Sequence, residues 1–375
     1  MMKCQRDKFY LQRKISYLNC AYMSPLSRKV ENAGKKGLQG KRHPYRVQPD
    51  DFFRDNETLR SLFAKLIGCE EPDRIAMIPS VSYAMATIAG NLPKKKGKIV
   101  LAGDQFPSNV YPWNMKGYDL HFVSKPVDGL WTEAIRDAID DTTSLVTLGV
   151  VHWTDGTRFD LKAIGEKAKS VDAAFVLDGT QAIGALPFNI ENTGADALVC
   201  AGYKWLMGPY AYGLAYYGPI FGNGLPIEQN WINRKNAEDF AGLVNYRDEY
   251  EPGSRRFDVG ERSNFIAVPM MIAALKQILK WNPESISDYC GSLFEAFLPP
   301  IEEMGFKLSS PPVERSKHLF GLQIPEQIAL SKLMQDFKQS KVYVSVRGNV
   351  IRVSPNVYND KKDINRFIRV LSDAI

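Results

Sequence analysis

The chain of 375 residues has no apolar run long enough to cross a bilayer, and its opening residues MMKCQRDKFYLQRK lack the apolar stretch of an export signal. A soluble, cytoplasmic protein with no membrane partner is expected. Its five cysteines, Cys4, Cys20, Cys69, Cys200 and Cys290, are odd in number, widely spaced and without CxxC pairs or neighbouring histidines. They argue against a disulfide framework or a zinc site and for reduced thiols. Neither GxGxxG after an early strand nor GxxxxGK[ST] occurs, which removes the usual signs of a nucleotide-binding Rossmann protein. Excess charge is small as well, at +6 overall, and the tightest basic run is Lys94-Lys95-Lys96. Such a run reads as a solvated turn, so no nucleic-acid partner is expected.

What is present is the composition of an ordinary globular protein, 45% hydrophobic and 24% charged, long enough for one large core and a smaller one. From about residue 73 short apolar runs alternate with helix-period segments. KIVLAG (98–103), DLHFVS (119–124), SLVTLGVVHW (144–153), AAFVLDG (173–179), DALVCAGY (196–203) and AYGLAYYG (211–218) read as strands. LWTEAIRDAID (130–140) and DLKAIGEKAKSVD (160–172) carry apolar residues at helical spacing. The pattern is α/β, with a mostly parallel sheet buried on both faces. After residue 265 a long amphipathic helix (267–281) leads into a tail that reads helix, strand HLFGLQIP, helix, strand VYVSV, strand VIRVSP and final helix. The division expected is a large α/β domain over 46–265, with 1–45 and 266–375 forming a smaller α+β domain.

Ligands of open α/β sheets gather at the carboxyl ends of strands. Unusual polar residues fall at those ends here: Asp178 after AAFVL, Tyr203 and Lys204 after DALVCAG, Ser80 and Ser82 after IAMIP, with Phe106 after IVLAGDQ. Read singly, Asp178 is a helix cap or an ion-pair partner, Lys204 a snorkelling surface residue and each serine a plain cap. Their shared location is the signal. A lysine amine forms a Schiff base with an aldehyde, and a carboxylate keeps a pyridine nitrogen protonated; pyridoxal phosphate needs both. Ser80-Val81-Ser82, opening a helix, offer free N–H groups and a helix dipole to its phosphate.

Asp178-x-x-Gln181 followed by AGYKWLMGP, with DQFPSNVYPW (104–113), HWTDGT (152–157) and IRVSPNVYN (351–359), resembles the class V aminotransferase family of pyridoxal-phosphate enzymes. That family includes cysteine desulfurases, kynureninases and isopenicillin N epimerase-like proteins, and the resemblance runs from YLNCAYMSPLS (17–27) to the C-terminus. It implies an aspartate-aminotransferase-like fold and a homodimer. It also implies Lys204 as the Schiff-base lysine, Asp178 on the pyridine nitrogen, Gln181 on the phenolic oxygen and Phe106 stacked on the ring. Tyr203 and Ser82, with the backbone of Val81, match phosphate ligands, beside Ser80 at the same helix start, and Arg352 matches the arginine that grips the substrate carboxylate.

The departures bear on activity. Desulfurases carry a nucleophilic cysteine in an extended loop before the late arginine, whereas the interval here is only VSVRGNV (344–350). Persulfide chemistry by that route is not expected. The family's asparagine near HWTDGT is missing, with Trp153 or Thr154 in its place, and VGERSNF (259–265) replaces a segment that reaches the neighbouring subunit's phosphate, with Ser263 or Asn264 as substitutes. The expected activity is transamination of a small-molecule amino acid, because it demands nothing beyond lysine, aspartate and arginine. C–S lyase, epimerase and kynureninase-like hydrolase chemistry remain alternatives within the family, and a non-catalytic binding protein on the same fold is the alternative outside enzymes.

Overall fold

The structure is a computed structural model, and it describes residues 2–92, 97–295 and 297–375. The Lys94-Lys95-Lys96 run lies outside the described residues.

The central layer is a seven-stranded sheet made of β1 (Ile75–Ile78), β2 (Lys98–Ala102), β3 (Asp119–Val123), β4 (Thr143–Gly149), β5 (Ala174–Asp178), β6 (Ala197–Ala201) and β7 (Gly213–Tyr217). Its strand order is β1-β7-β6-β5-β4-β2-β3. Neighbours pair in parallel throughout β6-β5-β4-β2-β3, and β7 runs antiparallel to both β1 and β6. Sequence and structure agree on a mostly parallel sheet. Parallel strands buried on both faces need apolar side chains in both directions, which is why AFVLD and ALVCA read as continuous rather than alternating runs. One consequence positions the site: the carboxyl ends of β1, β2, β4, β5 and β6 share an edge with the amino end of β7.

Helices cover the two faces, among them Arg54–Ile67, Val81–Asn91, Leu161–Ser170 and Ala267–Trp281. The last is the amphipathic helix expected at 267–281, and its first turn is capped by Asn264, whose Oδ1 accepts from the N–H groups of Ile266 and Ala267 at 3.1 and 2.9 Å. Its buried residues include Val268, Met271, Leu275 and Ile278, spaced three and four apart, the stripe a helix needs to cover a core.

The tail builds a four-stranded antiparallel sheet from β8 (Lys307–Leu308), β9 (Phe320–Gln323), β10 (Ser345–Arg347) and β11 (Val350–Val353), in the order β10-β11-β9-β8. A separate apolar cluster lies beneath it, with Phe294 stacked on Phe320 at 3.6 Å and Phe337 on Phe367 at 5.3 Å. Here the sequence reading needs correction. The run VYVSV is not one strand: Val342–Tyr343 pairs in parallel with Ser16–Tyr17, while Ser345–Arg347 turns into the antiparallel sheet. The amino-terminal segment claims the first half as its partner, a choice that local sequence does not express.

Candidate active site

At the shared strand edge lies a cavity of about 360 Å³, within the usual range for a small-molecule site. Ser80, Val81, Ser82, Phe106, Asp178, Gln181, Tyr203 and Lys204 all line it, so residues from four separate stretches of chain converge there. Arg352, Thr154 and Asn264 do not line it.

Asp178 ends β5, held by the parallel register Gly149↔Asp178 on one side and Asp178↔Val199 on the other. Its Oδ1 accepts the N–H of Thr180 at 2.9 Å, the local turn that an Asp-x-Thr sequence favours. Burial raises its pKa, opposed by Thr180 and by the charge of Lys204. Lys204 follows β6 in a tight loop. Gly202 allows that loop to close, because a Cβ there would collide with the Tyr212 carbonyl, to which its N–H donates at 2.9 Å. Met207 and Ala211 hold left-handed φ values of 54° and 57°, a strain of about 1–2 kcal/mol each that the surrounding packing sustains.

Only 7% of Lys204 is exposed, and desolvation brings its pKa down to about 8, with Asp178 pulling upward and Arg352 and Arg347 pushing further down. No ion pair reaches it among the described residues; its amine instead faces the rings of Phe106 and Tyr203 at 5.4 and 5.6 Å. A buried amine without a partner, opposite a buried carboxylate that it does not touch, is an arrangement that a bound group completes.

Ser80 caps the helix Val81–Asn91, its Oγ accepting from the Tyr83 N–H at 3.2 Å and lying 3.0 Å from the Ser82 hydroxyl. The N–H groups of this helix end and two hydroxyls therefore meet the cavity, a donor set suited to a phosphate. Gln181 is fixed from both sides, donating to the Ala21 carbonyl at 3.1 Å and accepting from the Trp205 indole at 2.9 Å. One amide hydrogen remains for a ligand. Cationic loop and acidic strand end, aromatic wall and helix N-terminus together fit the aldehyde, pyridine nitrogen, ring and phosphate of pyridoxal phosphate.

Between the two substitutes considered for the family's missing asparagine, the structure distinguishes. Thr154 turns away, its Oγ1 2.8 Å from His152 Nδ1, whereas Trp153 lines the cavity, packs edge-on against Phe106 at 5.3 Å and anchors its indole N–H on the Asp104 carbonyl at 2.6 Å. Arg352 lies behind Trp153, donating to its carbonyl at 2.9 Å. The segment 255–265 is tied within its own chain: Arg255 pairs with Glu57 and Asp73, Arg262 with Asp258, and Ser263 donates to the Phe52 carbonyl.

Several contributors gave no local signal. Thr180, Ser108, Tyr210, Ala211 and Tyr212 line the cavity; Tyr212 arrives there because β7 runs antiparallel. Ser24 joins from the amino terminus, its N–H bonded to the Tyr203 carbonyl at 3.0 Å. His318 comes from the tail, fully buried, 2.7 Å from the Gln181 carbonyl and edge-on to Trp205 at 4.4 Å. Burial lowers its pKa to about 4, so it packs as a neutral ring.

Comparison with known proteins agrees with this geometry. The model of the family Aminotransferase class-V matches residues 48–226. An uncharacterized aminotransferase, YcbU, of Bacillus subtilis (strain 168) is 29% identical over 83% of this chain and 82% of its own. An apo cysteine desulfurase from Thermococcus onnurineus NA1 superimposes with a TM-score of 0.86 at 19% identity, covering 100% of this chain and 98% of its own. A C-DES mutant with glycine covalently linked to its PLP cofactor gives 0.86 at 16% identity, covering 99% of this chain and 100% of its own. The fold is that of the pyridoxal-phosphate-dependent transferases. Residues 48–226, the stretch that holds every residue lining the cavity, match the class V aminotransferase family, and the cavity fits pyridoxal phosphate.

Proposed function

We propose that this protein is an aminotransferase whose substrate is a small-molecule amino acid. The observation that carries the reading is the pairing of a desolvated Lys204 amine with a buried Asp178 across a cavity closed by a helix N-terminus. In this reading Lys204 holds the cofactor's aldehyde, and Asp178 keeps the pyridine nitrogen protonated. Phe106 covers the ring, Gln181 donates to the phenolic oxygen, and Ser80, Val81, Ser82 and Tyr203 hold the phosphate. Trp153 takes the place proposed for Thr154 at the ring. Bound pyridoxal phosphate supplies an electron sink for the negative charge left at the substrate's Cα. Lys204, whose amine loses its proton as pH rises through about 8, would be the base that takes the Cα proton and passes it to the cofactor's aldehyde carbon, and Arg352 would grip the substrate's carboxylate.

Desulfurase chemistry through a loop cysteine is not supported, since Arg347 and Val350 are joined by a two-residue turn containing no cysteine. The deciding experiment incubates the holoprotein with a panel of amino acids and 2-oxoglutarate while the cofactor's visible spectrum and the products are followed. Transamination yields the oxo acid and glutamate. Pyruvate or ammonia release, inversion at Cα, or alanine release from kynurenine would each replace it with the corresponding alternative.

The working unit we propose is a homodimer. Leu225, Ile227, Trp231, Val244 and Tyr246 are exposed apolar residues within one stretch, which supports a covered face there. Asn264 contributes to the partner's phosphate only if a two-fold contact draws it away from capping Ala267–Trp281. Sedimentation at several concentrations tests this, and a fully active monomer would refute it.

A further inference from the structure

β10 and β11 are joined by Gly348-Asn349, with Gly348 at a left-handed φ of 56°, the conformation that a two-residue hairpin asks of its first turn position. This turn fixes the register Arg347↔Val350 and Ser345↔Arg352. Side chains alternate along a strand, so Arg347 and Arg352 emerge on the same face as diagonal neighbours. Both guanidiniums lie against Trp153, their central carbons 5.2 and 5.9 Å from its ring centroid.

Nothing acidic meets them. Among the described residues no carboxylate forms an ion pair with either; Arg347 donates to the Val346 carbonyl at 2.7 Å and Arg352 to that of Trp153. Arg352 is 1% exposed, and its Nε and Nη2 are buried without hydrogen-bond partners. Burial and the charge of Arg347 both lower its pKa, to about 9. Arg347 is partly exposed but Arg352 is not, and a buried guanidinium beside a second cation is costly unless an anion joins it. Their common wall, Trp153, is also a wall of the cavity that holds Lys204.

One carboxylate offers two oxygens and is satisfied by one planar fork, which leaves the second guanidinium unpaired. We infer that the substrate carries two carboxylates: it is an amino dicarboxylic acid or the corresponding oxo acid, with Arg352 on the carboxylate beside the reacting carbon and Arg347 on the distal one. This rests on the reading of the cavity as an amino acid site.

The test is calorimetric binding of glutarate and butyrate, which lack an amino group and do not react, to the holoprotein. Glutarate should bind more tightly than butyrate by about tenfold or more, and Arg347→Gln should weaken glutarate by about tenfold while changing butyrate less than about twofold. Arg347→Lys should recover part of the loss. Equal affinity for the two acids, equal weakening of both by Arg347→Gln, or binding of neither overturns the inference. If glutarate binds through Arg347 but no amino acid in the panel alters the cofactor spectrum, the reaction assignment fails while the two-carboxylate assignment stands.

Discussion

Asp178 and Lys204 line the same cavity, both more than nine-tenths buried, yet no ion pair joins them. Each still senses the other: the aspartate raises the lysine's pKa and the lysine lowers the aspartate's, in both cases against a larger desolvation effect. Buried opposite charges close together would neutralise one another and leave no reactive amine. Their separation keeps Lys204 nucleophilic and Asp178 available to a cation between them. For a flat cofactor with an aldehyde at one end and a basic nitrogen at the other, that spacing is the functional feature.

Lys204→Ala should therefore remove the visible absorption of the lysine-bound cofactor while far-ultraviolet circular dichroism stays unchanged. Borohydride reduction of the wild-type holoprotein followed by peptide mapping should label Lys204. A label on any other lysine would refute the assignment.

The pH dependence follows from the lysine's environment. Below about pH 8 the amine is protonated and cannot attack, and above it the amine is free, so cofactor uptake by the apoprotein should rise with a midpoint near 8. Arg352 pushes that value down, and Arg352→Met should move the midpoint to higher pH. Stopped-flow uptake rates across a pH series measure both, and an unperturbed lysine midpoint above 10 would contradict the burial argument.

Asp178→Asn keeps the shape and the bond from Thr180 but loses the charge. Exchange of the substrate's Cα proton in deuterated water should slow by about two or more orders of magnitude, with cofactor affinity falling less. Exchange at the wild-type rate would reduce Asp178 to a structural cap.

A stability prediction comes from the other side of β1. The fully buried Asp258 carboxylate receives the Arg60 and Arg262 guanidiniums and the Met77 N–H, the last at 2.8 Å. Asp258→Asn leaves the buried Arg262 without its counter-charge and Arg60 with Glu57 alone, and the expected loss is about 3–5 kcal/mol. Denaturant midpoints with an unchanged slope would register it. Asp50→Asn, which breaks an exposed pair with Arg54, serves as the control and should shift the midpoint little.

The sequence by itself determined the elements whose causes are local. A parallel strand buried on both faces must be apolar throughout, so β4, β5 and β6 were visible as runs, and 267–281 was visible as a helix through its three- and four-residue spacing. Asp178 and Lys204 stood out for the same reason, since an ionisable group at the end of an apolar run needs a justification. Only the tertiary structure decided what depends on distant partners. It split VYVSV between two sheets, brought Tyr212 to the cavity on an antiparallel strand and set His318 against Gln181 from 137 residues away. It put Trp153 rather than Thr154 on the cavity wall, the threonine hydroxyl bonding His152 instead, and it closed the Gly348 hairpin that sets Arg347 beside Arg352. Such contacts form between side chains that no local periodicity relates, and their energies exist only once the sheet has fixed which ends meet.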